Sequence, residues 1–302
     1  MLPAGMRRYG PPRREWEAPG NRGAPTDTPA VVNPIAVHDP ADPRVADFLA
    51  LNDPDLRRLR EQTGGTSGGF FIAEGAPVIR QLLRSAYRVR ALFLTPRRLD
   101  ALAGELGGIE APVYVGQPEV VNAVSGFHLH RGALASADRA PLPTLAAVLA
   151  GTDRVVVTES VNDHENLGAL FRNAAAFGAG AVVLDPTSAD PLYRRSVRVS
   201  MGHVLRVPFA RATAWPAALG ELRAAGFEVL ALTPSPHAED LWTVGASARH
   251  ALLLGAEGPG LSPGALAAAD RRVRIPMAPG VDSLNVATAA AIALHHLSRA
   301  RR

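Results

Sequence analysis

The 302-residue chain has no cysteine. That excludes disulfides, a thiol nucleophile and any cysteine-based metal site. Lysine is missing too: all 32 Lys and Arg positions are arginine. A GC-rich coding bias explains that without function, but arginine also suits phosphate and nucleotide bases. No apolar run approaches the ~20 residues of a membrane span. The opening stretch, MLPAGMRRYGPPRREWE, lacks the apolar core of a secretory signal, so the chain reads as cytoplasmic. The nine histidines show no ligand spacing; His128/His130 and His295/His296 are close pairs without a third ligand. No metal is expected. The patterns G-x-G-x-x-G, Walker A and H-E-x-x-H are all absent. Gly258, Gly260 and Gly264 miss the dinucleotide fingerprint by one residue, which argues against a nicotinamide enzyme.

What remains is an α/β pattern in a weakly basic chain, net charge +4. Residues 1–35 hold seven Pro, four Gly and five Arg without apolar periodicity, and read as a disordered tail. Residues 36–141 read as a small α/β domain. Helices are expected in LNDPDLRRLRE, APVIRQLLRSAY, PRRLDALAGEL and PEVVNAV; strands are expected in GGFFIAEG, VRALFL, VYVG and GALASA. From Arg57 to Arg98 nine Arg face two acids. Arg80, Arg84 and Arg88 recur at i, i+4, i+8, a basic helical face that an anionic partner would stabilise. With Arg57 and Arg58 they form the candidate set for contact with a phosphate backbone. A solvated basic face accounts for the same spacing.

PLPTLAAVLAGTD reads as a hinge and lead-in helix. Residues 142–302 then repeat strand and helix: strand Arg154–Thr158, helix Leu167–Phe177, strand Ala181–Leu184, helix Arg194–Met201, strand Val204–Val207, helix Ala214–Ala225 and strand Glu228–Leu232. Two buried strands, Ala251–Leu254 and Val273–Ile275, lead into turns Gly255–Ser262 and Pro276–Asn285. Ligands of open α/β sheets sit beyond such strand ends. Those turns therefore put Glu257, Ser283 and Asn285 at a candidate site. Asn166 fits a helix N-cap. Arg172 lies off the buried stripe of its helix, among Gly168, Ala169, Ala175 and Ala176. That is a shallow setting for an anion-facing or catalytic arginine, although a surface ion pair is the plainer alternative. The final helix, from about Val286 to Arg299, carries VATAAAIA, small enough for close packing.

Three blocks in order resemble the motifs of the SpoU/TrmH family of RNA ribose 2′-O-methyltransferases, of the SPOUT class. They are Asn166-Leu-Gly-Ala-Leu-Phe-Arg172, Leu254-Gly-Ala-Glu-Gly-Pro-Gly-Leu261, and Ile275-Pro-Met with Ser283-Leu-Asn-Val-Ala287. SVRVSMGHVLRVP, around Ser200, Met201 and Gly202, adds a fourth similar stretch, and LNDPDLRRLRE with FFIAEG resembles the family's small L30e-like substrate-binding domain. The resemblance implies a trefoil-knotted methyltransferase domain, a homodimer, and S-adenosylmethionine held by Gly255, Ile275, Leu284 and, less closely matched, Thr233. It implies catalysis by Arg172 with Asn166, Glu257, Ser283 and Asn285, on ribosomal or transfer RNA. Arginine is a poor general base because its pKa exceeds ~12; stabilising the alkoxide is the other role open to it. Antibiotic self-protection and an inactive RNA-binding protein are the alternatives. His164-Glu165 stands where the family often has Pro-Gly, and GGTSGG before Phe70 lengthens one edge of the first domain.

Overall fold

A computed structural model describes residues 32–53, 69–129, 132–245 and 248–299. Its strands follow two hydrophobic patterns. The runs VVV and LLL are apolar at successive positions, as strands covered on both faces must be. They lie at the centre of a seven-stranded parallel sheet. The shorter runs of the first 140 residues form a mixed sheet of five strands.

The five-stranded sheet contains β1 (Ile35–Ala36), β2 (Phe70–Glu74), β3 (Val89–Leu94), β4 (Val113–Val115) and β5 (Ala133–Asp138), in the order β1-β4-β3-β5-β2. β5 is antiparallel to both neighbours. Helices α1 (Ala76–Leu83), α2 (Pro96–Leu102) and α3 (Pro118–Ser125) connect its strands. A lead-in helix, α4 (Leu145–Ala150), precedes the second sheet, where Thr144 accepts the Ala147 N–H as its cap. The second sheet contains β6 (Arg154–Glu159), β7 (Ala181–Leu184), β8 (Phe209–Arg211), β9 (Glu228–Leu232), β10 (Glu239–Asp240), β11 (His250–Gly255) and β12 (Arg271–Arg274), in the order β10-β12-β9-β11-β6-β7-β8. Its helices are α5 (His164–Ala176), α6 (Arg194–Val199), α7 (Ala218–Ala224), α8 (Pro263–Ala268) and α9 (Val286–Arg299).

Side chains alternate across this second sheet with the two-residue period of a strand. Val155, Val157, Ala251 and Leu253 face α4, α7 and α8. Val156, Leu252 and Leu254 face α5 and α9, and that cluster continues without a break into Phe71, Leu92 and Leu94 of the first sheet and Ile79 of α1. The stretch read as a hinge therefore joins two sheets that share one core. A buried carboxylate fastens them as well. Glu74, at the end of β2, accepts from the Arg194 guanidinium at 3.0 Å and lies 3.6 Å from that of Arg198, both on α6. Arg194 also stacks over Phe127, 4.6 Å from the ring centroid.

Several sequence expectations change. Val204–Val207 is not a strand. Residues His203–Leu205 form a 3-10 turn, because Gly202 takes a left-handed conformation and its N–H bonds back to the Val197 carbonyl. The apolar run misled because it is buried; β8 follows it at Phe209. The helix expected from Ala214 starts at Ala218, just beyond Pro216. Strand β12 ends at Arg274, so Ile275 belongs to the following loop. The basic helical face does not form either. α1 stops at Leu83, Arg84 is its C-cap, and Arg88 lies outside the helix. Arg80 instead pairs with Glu105, and Arg88 with Asp138. Arg57, Arg58, the helix expected in LNDPDLRRLRE and most of GGTSGG lie outside the described residues. So does nearly all of the expected tail.

Candidate functional site

Three loops at the carboxyl ends of β9, β11 and β12 meet around a cleft of about 410 Å³. Its wall is apolar at Leu232, Leu254, Ile275 and Val286; its polar groups come from Thr233, Glu257, Ser283 and Asn285. The loop after β11 turns back at once, since the Gly260 N–H donates to the Ala256 carbonyl at 3.1 Å. A Cβ on Gly255 would lie 2.4 Å from the Gly260 carbonyl carbon, so only glycine admits this turn. Beneath it, the buried Glu159 accepts the Ser262 N–H at 2.8 Å, the Ser262 hydroxyl at 2.6 Å and the Trp215 indole N–H at 2.5 Å. Ser262 in turn caps α8 through the Ala265 N–H.

Asn285 ties the loops together. Its Oδ1 accepts the Ala287 and Thr288 N–H groups at 3.0 and 3.1 Å, capping α9. Its Nδ2 donates to Asn166 Oδ1 at 2.7 Å and to Glu257 Oε1 at 2.8 Å. One amide thus joins residues 119 and 28 positions away. Asn166 is not the N-cap. α5 begins earlier because the Asp163 carboxylate accepts the Glu165 and Asn166 N–H groups, both at 2.8 Å. That leaves the Asn166 side chain free to meet Asn285. Replacing Asn285 with alanine should remove both functions and cost about 1–2 kcal/mol, the upper part of the range for a lost cap. Aspartate would keep the cap but set a carboxylate against Glu257. Urea denaturation should therefore place Asn285→Asp well below wild type; full recovery by aspartate would show that only the cap matters.

The sequence-derived residues separate into groups. Gly255, Ile275, Leu284, Thr233, Glu257, Ser283 and Asn285 line the cleft together, and Asn166 joins them through Asn285. Arg172 is exposed on another side of α5, and no hydrogen bond links it to Glu257 or Ser283 among the described residues. It faces the 203–205 turn. Burial holds the His203 imidazole below its usual pKa, and the positive charges of Arg172 and Arg206 press it further down. The small residue before Arg172 also has a packing role: a Cβ on Gly168 would lie 2.7 Å from the Ser196 carbonyl, where α6 crosses α5. Arg80, Arg84 and Arg88 lie on the first sheet's side of the molecule, away from the cleft. Sequence reasoning missed Asn173, whose Nδ2 donates to the Ala287 carbonyl at 2.8 Å and holds the start of α9. Its spacing, seven residues from Asn166, puts it on the same helical face. Glu159 was also missed, since a buried strand-end carboxylate carries no pattern of its own; Met277, which ends the Ile275-Pro-Met block, lines the cleft as well.

Among the described residues, no group of His, Asp or Glu could hold a metal ion, and no helix is long and apolar enough to cross a membrane. Comparison with known proteins places these loops in context. Residues 153–295 match the SpoU rRNA Methylase family. An uncharacterized tRNA/rRNA methyltransferase of Mycobacterium tuberculosis is 52% identical over 266 residues, covering 87% of this chain and 91% of the relative. A 23S rRNA (guanosine(2553)-2′-O)-methyltransferase of Bacillus subtilis is 27% identical over 243 residues, covering 80% and 94%. The crystal structure of an AdoMet-bound rRNA methyltransferase from Sinorhizobium meliloti superposes with a TM-score of 0.71 at 26% identity, over 89% of this chain and 99% of that one. Both the loop motifs and these matches cover the second sheet and its cleft, and the longer matches take in the first sheet as well. The chain belongs to the SpoU rRNA methylase family.

Proposed function

We propose that the protein transfers a methyl group from S-adenosylmethionine to a ribose 2′-hydroxyl of structured RNA, ribosomal RNA before transfer RNA. The observation that carries this reading is the Asn285 amide, which locks Asn166 and Glu257 together at the lip of a cleft built from three strand ends. The cleft suits the cofactor. Its volume lies in the usual range for small-molecule sites, and apolar walls with a few convergent polar groups are what an adenosine and an amino-acid tail need. Gly255, Ile275, Leu284 and Thr233 would hold it. When bound, S-adenosylmethionine supplies an electrophilic methyl on a sulfonium, whose departure needs no acid.

The protein's task is then alignment and charge. The residues here would hold the ribose 2′-oxygen in line with that methyl carbon, and, as transfer leaves a neutral thioether behind, the hydroxyl proton would pass to solvent water. The Arg172 guanidinium stabilises the oxygen as it becomes negative. Ser283 and Glu257 orient the ribose at the cleft mouth, and Asn166 and Asn285 fix the loops. The family's trefoil knot, its L30e-like first domain, over residues 36–141, and its homodimer complete the reading. Support for the dimer is a hollow of small residues between α5 and α9, lined by Ala169, Ala287 and Ala291 beside Asn166 and Asn173. The cytoplasm is the compartment where such RNA is met.

Mapping of 2′-O-methyl groups in total RNA, with and without the gene, tests the function. One ribosomal RNA position should lose its methyl group and regain it on complementation. A lost transfer RNA methyl would move the target. An unchanged methylation map, with calorimetry showing NAD rather than S-adenosylmethionine in the cleft, would overturn the reading.

A further inference from the structure

A second hollow, of about 750 Å³, opens where the segment between the two sheets crosses the molecule. Arg84 and Tyr87 form one side, Leu142 of the connecting segment the next, and His203, Arg206 and Phe209 the third. No Asp or Glu lines it among the described residues. The cleft and the hollow between α5 and α9 each carry a glutamate, Glu257 and Glu165. Arg44, Arg80, Arg88, Arg195 and Arg271, all partly or fully exposed, each hold a carboxylate. Arg84 and Arg206 are exposed and hold none among the described residues; the field of Arg84 reaches Glu105, but Arg80 already binds that carboxylate. Arg139 and Asp190, near Tyr87, neutralise each other. Arg172 adds its charge from α5, whose Ala175 lines the same hollow.

The floor is apolar and partly open. Leu142 is 46% exposed. Burial pushes the Tyr87 hydroxyl up to about 12, so its ring stays neutral. Cations around an apolar and aromatic floor match a polynucleotide strand: phosphates meet the guanidinium groups and bases lie on the ring and the leucine. A protein partner would have to bring acids of its own to the same three arginines; a strand of RNA carries one phosphate per nucleotide.

We infer that this hollow seats a single-stranded segment of the substrate RNA, with its phosphates on Arg84 and Arg206 and its flanking nucleotide led toward Arg172. The inference rests on the reading of the protein as an RNA methyltransferase. It assigns a substrate contact to Arg206 and His203, which lie in the fourth family-like stretch, and to Tyr87 and Leu142, which lie in none of the blocks.

The test compares the full chain with its Arg84→Ala/Arg206→Ala variant. Fluorescence anisotropy of labelled oligouridine over a range of salt gives affinity and its salt slope. Loss of two phosphate contacts on a single strand should flatten that slope by about 1.4 and weaken binding by roughly 10-fold at low salt. S-adenosylmethionine affinity and the thermal midpoint should match wild type. A second reading follows His203 by NMR. Phosphates entering the hollow offset the arginine charges, so its pKa should rise when oligouridine is added to the wild type. Unchanged affinity and slope in the variant, no binding of oligouridine by the wild type, or no movement of His203 would each overturn the inference. So would conversion of a dimer to monomers by the double substitution, which would make the hollow an interface between copies. If the wild type still methylates ribosomal RNA in any of these cases, only this inference falls. If it methylates no RNA, the proposed function falls with it.

Discussion

Arg172→Ala is expected to lower single-turnover methyl transfer by about 10²–10³-fold, the scale for removal of one transition-state donor. Folding should barely notice. The side chain is exposed and makes no hydrogen bond or ion pair among the described residues, and exposed sites of this kind usually change stability by less than about 0.5 kcal/mol. Cofactor affinity should also hold, since Arg172 does not line the cleft. Lysine should rescue poorly because it lacks the planar fork that can hold a phosphate and the ribose oxygen together. His203 gives a structural readout: with Arg172 gone, one of the charges depressing its pKa disappears, so its titration should move up. A variant that methylates at the wild-type rate would reduce Arg172 to a surface residue.

Gly255→Ala should be the most damaging single methyl group at the cleft. The new carbon would sit 2.4 Å from the Gly260 carbonyl carbon and 2.5 Å from the Leu261 nitrogen. Both are backbone atoms and cannot rotate away. Opening the turn should cost about 1–3 kcal/mol of stability and on the order of 10²-fold in S-adenosylmethionine affinity, because the same turn shapes the cleft wall. Gly264→Ala is the control. Its Cβ would meet Pro216 at 3.4 Å and the Ser262 hydroxyl at 3.9 Å, both in ordinary contact, and alanine favours the helix by about 0.5–1 kcal/mol. Calorimetry on both variants separates the two effects. Equal affinity in Gly255→Ala would mean the turn is not part of the ligand site.

The central strands were legible because burial on both faces leaves a continuous apolar run, and VVV and LLL admit little else. The two loops that line the cleft were legible because Gly, Pro and small polar residues follow those runs directly. Asn166 reaches the cleft through Asn285, but it is not the cap its residue type suggests. Its residue type suits a cap, but Asp163 is equally suited and lies nearer the loop, so the helix begins there and the amide serves the cleft. The stripe of arginines failed because spacing alone cannot say where a helix stops; Ser85, whose hydroxyl donates to the Leu82 carbonyl, closes α1 before the stripe can form. The turn at His203 was hidden by its own burial. Glu74 was invisible, since a carboxylate at a strand end reveals nothing about arginines 120 positions away.

The common core and the Glu74 anchor have a mechanical consequence. Phe71, Ile79 and Leu92 pack in the same cluster as Val156, Leu167 and Leu252, so the two sheets resist being pried apart. If the inferred seat holds the RNA strand, the spacing of Arg84 and Arg206 across the hollow is set during folding and acts as a caliper. An RNA that presents its strand at that gauge would then enter without rearranging the protein, whereas one held too wide by its own helix would have to melt first. Selection of the target nucleotide would fall in this way on how readily the RNA itself can open.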